Sequence, residues 1–449
     1  MSPKHVHPFL LAIAIVITLS VINNLARSEG AGNTLTSENR WVKVFGGNEP
    51  ELSYRIRQTN DEGYILVVGT PSYGAGEDDI WLIKLDGNGR KEWDRLFGGK
   101  NSDFPFCVEQ TSDGGYIIAG FTGSYGHGSL DAWLIKTDER GNEVWNKTFG
   151  GEKKDRALWV EQTRDGGYII AGDTMSFGDG KNNGWVIKVD DNGKEEWNKT
   201  FDEKGKIVVL NCIHQTKDGG YIAGGGILDP ESHNLSALLI KLSTDGKEEW
   251  KRVYNYSDYI NIYRILPTSD GGYIMVGAKY IHDIIIKTDE NGDIEWSRTL
   301  FNEDKAVYSI ATAIEQTSDG GYIVTGWRGD KTWIYYIIFP FINPHHYFPK
   351  AWIVKLDKDG NKEWISTFFG IGYWMWSFDV QQTIDGGYIV CGMVERYNCW
   401  NESDVVLIKT DSEGRTNFLQ LRLCGIIHWF VKQMSTSDVT SLKSICLCR

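Results

Sequence analysis

The constraint that outranks all others in this chain is a repeat. The segment Gln110–Gly151, QTSDGGYIIAGFTGSYGHGSLDAWLIKTDERGNEVWNKTFGG, recurs in altered copies along most of the 449 residues. Seven Tyr residues follow its DGG or DEG turn: Tyr64, Tyr116, Tyr168, Tyr221, Tyr273, Tyr322 and Tyr388, spaced by 52, 52, 53, 52, 49 and 66 residues. A period of this length marks units that cannot bury their apolar faces alone and must stack into an array or a ring.

Within the second copy, four short runs rich in aromatic and β-branched residues are bounded by Gly and Asp: Phe106–Thr111, Tyr116–Gly120, Ala132–Thr137 and Val144–Phe149. They read as strands a to d, and nothing in the unit has helical period or length. In the a–b turn, Asp113 is placed to accept from backbone N–H groups, and Gly114 and Gly115 are expected at positive φ. The c–d turn is D-x-x-G, as in Asp138 and Gly141, a type I turn with a G1 bulge. This predicts Ile135 opposite Trp145. It also predicts cross-strand pairs Lys84–Glu92, Lys188–Glu196, Lys241–Glu249, Lys287–Glu295 and Lys355–Glu363, each worth roughly 0.2–1 kcal/mol. Seven four-stranded antiparallel units that must cover both faces of every sheet predict an all-β, seven-bladed propeller.

The copies are out of phase with the chain. The segment at Trp41, W-V-K-V-F-G-G, matches a d strand, and the Trp series Trp41, Trp93, Trp145, Trp197, Trp250, Trp296 and Trp364 again numbers seven. The N-terminal strand is therefore expected to complete the last blade, with Thr416–Leu421 as the competing segment. Residues 41–414 then form the ring, 28–40 a linker and 415–449 a divergent tail. The pattern DGGYI…LIKxDxxGxxEW resembles the propeller superfamily of YVTN-type, quinoprotein-like and delta-60-like repeats. That resemblance implies the fold and leaves the activity open, because propellers carry many unrelated ones.

Antiparallel connections alternate between the two ends of a blade. The a–b and c–d turns share one end and are tight and repetitive; the b–c and d–a loops share the other and vary. Function is expected on the variable side. Its candidate binding residues are Tyr73, Tyr125 and Phe177 in the S-[YF]-G-x-G loops of the first three units. The long apolar insertion of the sixth unit adds Trp333, Tyr335, His345, His346 and Tyr347, and Trp400 stands in the seventh.

Residues 1–27 carry Lys4, His5 and His7, an uncharged apolar run from Phe9 to Ile22 and a small-residue site near Ala26. This is the pattern of a secretory signal; an uncleaved anchor is the alternative. Export to the cell surface or beyond would allow glycosylation at Asn146, Asn198, Asn234, Asn255 and Asn401. The formal charge of −13 argues against a nucleic-acid partner. The seven Cys form no disulfide framework or zinc spacing, and the His residues form no metal motif. No cofactor is expected. The residues together point to a secreted or surface-held, monomeric, non-enzymatic ring that binds a glycan or a protein. An extracellular carbohydrate-active or quinoprotein-like enzyme and a structural envelope component are the competing readings. Asp78, Asp79, Asp131, Glu231 and Glu402 are the loop carboxylates an enzyme would have to pair.

Overall fold

The computed structural model describes residues 40–254, 259–301, 308–330, 348–369, 373–396 and 403–416. They form seven four-stranded antiparallel sheets. The first six blades each use four consecutive strands. In blade 2 these are Asp103–Gln110, Tyr116–Thr122, Asp131–Thr137 and Glu143–Phe149. The seventh takes Tyr373–Gln382, Tyr388–Arg396 and Ser403–Thr410, and its outer strand is Trp41–Phe45, paired antiparallel from Trp41 opposite Lys409 to Phe45 opposite Val405. The N-terminal strand thus holds the outer position; of the competing segment only Thr416 is described, and it donates its hydroxyl to Lys409 O at 2.7 Å. Each innermost strand packs against the innermost strands of the blades on either side, and blade 7 meets blade 1 in the same way. The unit is a closed seven-bladed β-propeller.

Burial explains the strand compositions. The second and third strands of blade 3, Tyr168–Thr174 and Asn183–Val189, are buried at every residue, whereas the outer strand Glu195–Phe201 is largely exposed. The middle strands are therefore near-continuously apolar, and the outer strand can carry NKT.

Each DGG turn is built the same way. In blade 2, Thr111 N–H donates to Gly115 O and Gly114 N–H to Thr111 O, both at 2.9 Å, while Asp113 Oδ1 accepts from Gly115 N–H at 3.0 Å. Gly114 has φ +84°, but Gly115 does not have positive φ. Its lack of a side chain serves a close approach instead, since a Cβ there would lie 2.1 Å from Thr137 O. The bulge at the c–d turn also shifts the register by one. Lys136, not Ile135, stands opposite Trp145, and Ile135 faces Asn146.

All five expected Lys–Glu pairs form, at 2.9–3.4 Å. Each buried Lys also reaches the Asp of its own blade's DGG turn, as in Lys84–Asp61 at 2.8 Å and Lys287–Asp270 at 3.0 Å. The Asp–Lys bond is present in all seven blades, including Lys136–Asp113 and Lys409–Asp385, where no Glu partner is present. One ammonium therefore ties both hairpins of a blade together. Partial burial pushes the Asp113 carboxyl up, but hydrogen bonds from Lys136, Thr111 and Gly115 outweigh it and hold it at about 2.

Blades lock to one another through the Trp series. Trp93 meets Tyr116 of the next blade at 5.9 Å between ring centroids, Trp145 meets Tyr168 at 5.8 Å, and the closing Trp41 meets Tyr64 at 5.6 Å. Each Trp also covers the c–d glycine of the next blade; a Cβ on Gly141 would lie 2.5 Å from Trp93. A Gln side chain from one blade caps the neighbouring turn, as Gln110 Oε1 accepts from Asn60 N–H and Gln58 Oε1 from Ile384 N–H across the closure. Where Pro267 replaces this Gln, Lys217 donates its ammonium to Ser269 O at 2.6 Å instead.

Candidate functional site: the axis and the variable face

Every innermost strand runs from the variable face toward the DGG turns, so residue order along it is order along the axis. Counting back from the seven Tyr residues defines rings of equivalent positions. Seven residues before stand Arg57, Glu109, Glu161, His214, Leu266, Glu315 and Gln381; nine before stand Arg55, Cys107, Trp159, Cys212, Arg264, Ala313 and Asp379. A register shift in each innermost strand, such as that between Pro105 and Cys107, inserts an extra residue just before the second ring. Bulges of this kind re-aim the side chains around them.

These side chains meet across the axis. Arg264 of blade 5 pairs with Asp379 of blade 7 at 2.6 Å, and the Arg55 guanidinium of blade 1 lies 3.8 Å from the Trp159 ring centroid of blade 3. Arg264 approaches the same indole at 5.0 Å. None of these blades are neighbours, so only side chains on the axis make such contacts. Asp379 is fully buried and also accepts from Arg57 Nη1 and Ile56 N–H, each at 3.0 Å. Glu109 accepts from both Arg55 and Arg57. Burial works against the Arg57 charge, but Glu109 and Asp379 more than restore it and raise its pKa.

Toward the DGG end, the ring opens to solvent. The side chains of Glu109 and Glu161 are 24% and 28% exposed, against 3% for Arg55. Glu161 Oε2 faces His214 Nδ1 at 2.5 Å, which orients the imidazole; Nε2 meets no partner among the described residues. Burial lifts the Glu315 carboxyl to about 7 in spite of Arg57 and the Gln382 N–H. Glu109 is raised by burial and by Glu161, against the pull of Arg57.

Toward the variable face, half-buried aromatics flank the axis on blades 7, 1 and 2. Tyr54 lies 5.3 Å from Phe378, 5.8 Å from Phe106 and 6.1 Å from Phe104. Phe104 in turn stacks on Phe121 at 6.0 Å.

On the variable face itself, Tyr73, Tyr125 and Phe177 are 40%, 48% and 42% exposed and occupy equivalent loops of blades 1 to 3. Each leans on the Trp of its own third strand: Trp81 at 4.8 Å, Trp133 at 5.4 Å and Trp185 at 5.6 Å. Tyr125 also donates its hydroxyl to Gly98 O at 2.8 Å. Two of the loop carboxylates named from sequence hold these loops in shape. Asp79 Oδ2 accepts from Ala75 and Gly76 N–H, and Asp131 Oδ2 from His127 and Gly128 N–H. Asp78 accepts from Ser102, and Glu231 lies exposed in the blade 4 loop. Trp333, Tyr335, His345, His346, Tyr347, Trp400, Glu402, Asn255 and Asn401 lie outside the described residues, as do the leader, the linker up to Asn39 and the tail beyond Thr416. Asn146, Asn198 and Asn234 are exposed; the first two accept from Trp133 and Trp185 Nε1–H. Among the described residues no three His, Cys, Asp or Glu side chains are grouped to hold a metal ion.

Sequence reasoning directed attention to the loops and passed over the axis. The signal was present. In a strand that alternates toward a core, charged residues at seven and nine places before the Tyr break the repeat in a different way in each copy.

No family model and no curated protein matches the chain. Among solved structures it is similar to the periplasmic gluconolactonase of Pseudomonas aeruginosa, at 12% identity and TM-score 0.48 over 79% of this chain and 98% of the other. It is also similar to a dihydro-heme d1 dehydrogenase, at 10% identity and TM-score 0.45 over 86% and 76%. A third likeness is to Drosophila Plexin A in complex with Semaphorin 1b, at 10% identity and TM-score 0.43 over 83% and 88%. No role is carried over from any of them.

Proposed function

We propose that the chain is an exported, non-enzymatic propeller that binds a glycan or a protein partner through its variable face. One observation carries this: three aromatic rings stand exposed at equivalent positions on adjacent blades, each fixed by a Trp beneath it. Rigid aromatics lose little side-chain entropy on binding, and they are the residue types that anchor interfaces. Among the described residues the opposite face shows no exposed aromatic ring, and its repeated charges are paired within the blades. The test is a glycan-array and surface-protein screen with the full chain. Saturable binding that falls about tenfold or more in the Tyr73→Ala, Tyr125→Ala, Phe177→Ala triple variant supports the reading. Binding unchanged in that variant, or none in either screen, overturns it.

A second reading is favoured by a separate observation. Glu109, Glu161 and Glu315 occupy equivalent positions of blades 2, 3 and 6 in one ring, and burial lifts the Glu315 carboxyl to about 7. Glycoside hydrolysis uses a pair of carboxyls, one of them raised by burial so that it can serve as the acid. Turnover of aryl glycosides or polysaccharides that Glu315→Gln abolishes selects this reading over the first.

A further inference from the structure

We infer that the axis is itself a binding site, separate from the loops, for a small ring-bearing carboxylate that enters from the variable face. Its ring would lie against Tyr54, Phe106 and Phe378, and its carboxylate would meet Arg55 and Trp159.

The inference begins with unmet donors. Arg55 is 2% exposed and Trp159 5%. Arg55 Nη2 is engaged by Glu109, on the DGG side of the layer. Its Nε and Nη1, and the Trp159 Nε1, meet no acceptor among the described residues. A buried donor without a partner costs about 1–3 kcal/mol, more when charged. These donors belong to two side chains stacked on each other at the axis, so one acceptor group is positioned to satisfy both. Guanidinium and indole N–H groups are donors only, which selects an oxygen acceptor.

Charge selects a carboxylate over a neutral oxygen. The ring that holds Arg55 and Trp159 carries two guanidiniums, Arg55 and Arg264, against one carboxylate, Asp379. Asp379 already accepts from Arg264 and from Arg57 of the next ring. The other acids, Glu109, Glu161 and Glu315, lie in the ring on the DGG side; Glu109 accepts from Arg55 and Arg57, Glu161 is taken by His214 and the Gln215 N–H, and Glu315 accepts from Gln382 N–H. An anion approaching from that side meets three Glu side chains, whereas the described residues next to Arg55 on the variable side are the aromatic rings of Tyr54, Phe106 and Phe378. Charge-assisted hydrogen bonds to guanidinium are also the stronger class.

Shape selects a ring. Tyr54, Phe104, Phe106, Phe121 and Phe378 form a connected cluster one layer above Arg55, with centroids 5.3–6.1 Å apart. All five are half-buried, although residues in the neighbouring strands of the same blades are fully buried. Aromatic faces of this kind receive flat apolar bodies, whether a benzene ring or the face of a pyranose.

Titration calorimetry with the full chain tests this, using benzoate and glucuronate as probes and benzyl alcohol and methyl glucoside as their neutral counterparts. The expected result is saturable 1:1 binding of at least one acid, with its neutral counterpart weaker by about tenfold or more, the worth of one charge-assisted hydrogen bond. Benzoate alone identifies an aromatic acid, and glucuronate alone an acidic sugar. Trp159→Phe keeps a ring beneath Arg55 but removes the N–H and part of the indole, so it should weaken binding several-fold with a lowered thermal midpoint; Arg55→Lys, which leaves the indole in place, separates lost binding from lost packing. Arg55→Lys should weaken it further. Tyr73→Ala should leave it unchanged, which separates this site from the loop surface. Binding of neither acid overturns the inference, as does equal binding by wild type, Trp159→Phe and Arg55→Lys.

Discussion

The DGG end of the ring and its axis are made from the same seven strands, yet they treat charge in opposite ways. At the DGG end an Asp, a buried Lys and in most blades a Glu recur with the same partners. Each charge is satisfied inside its own blade, and the Asp and Glu remain partly in water. On the axis, equivalent positions hold Arg, Glu, His, Leu and Gln in one ring and Arg, Cys, Trp, Ala and Asp in the next. Among the described residues those charges form their ion pairs only with other blades, and Arg55, Arg264 and Asp379 are almost wholly buried. Repetition at the DGG end marks a scaffold device. Departure from repetition at a shared position marks a place where the copies have been set apart for one job.

The largest consequence concerns Asp379. Replacing it by Leu leaves Arg57, Arg264 and the Ile56 N–H facing an apolar side chain, and breaking a buried ionic network in this way costs about 3–5 kcal/mol. Denaturant midpoints should show it, with Asp379→Asn, which keeps an acceptor, losing clearly less. If Asp379→Leu is no worse than a typical surface change, the axis is not the interdependent network described.

At the DGG end the effects should be smaller and nearly alike from blade to blade. Lys136→Met removes hydrogen bonds to a carboxylate and to Thr137 O, at about 1.5–3 kcal/mol. Lys188→Met also removes Glu196 and should exceed it by roughly 0.2–1 kcal/mol. The comparison fails if the two differ by several times that amount.

The smallest effect is a contrast in pH dependence. Asp113, Asp218 and Asp319 sit at about 2, below their usual 3.8, so their contribution is complete above pH 3.8 and is lost as pH falls through 2. Glu315 sits at about 7, above its usual 4.5. Between these values the native state binds the extra proton, so stability falls as pH rises from about 4.5 to 7. Glu315→Gln should flatten that limb of the thermal midpoint against pH and leave the acid limb in place. A wild-type profile already flat between 4.5 and 7 would contradict the placement of Glu315.

Much of this architecture was legible because it is local. Turn residues, strand runs and the Lys–Glu pairs act within one hairpin, and the W-x-K-x-F-G-G match identified the closing strand from composition alone. The errors were also local. Ile135 was placed opposite Trp145 because a bulge was counted without its one-residue shift. Gly115 was read as a φ requirement when it serves a close approach to Thr137 O.

The sequence by itself determined the blade, the number of blades and how the ring closes, since a repeat states its own period and each hairpin carries its own turn chemistry. Only the tertiary structure decided that Arg55, Trp159, Arg264 and Asp379 share one place. They lie as far as 324 positions apart in the chain. What joins them is the curvature that seven stacked blades accumulate, and no single repeat encodes it.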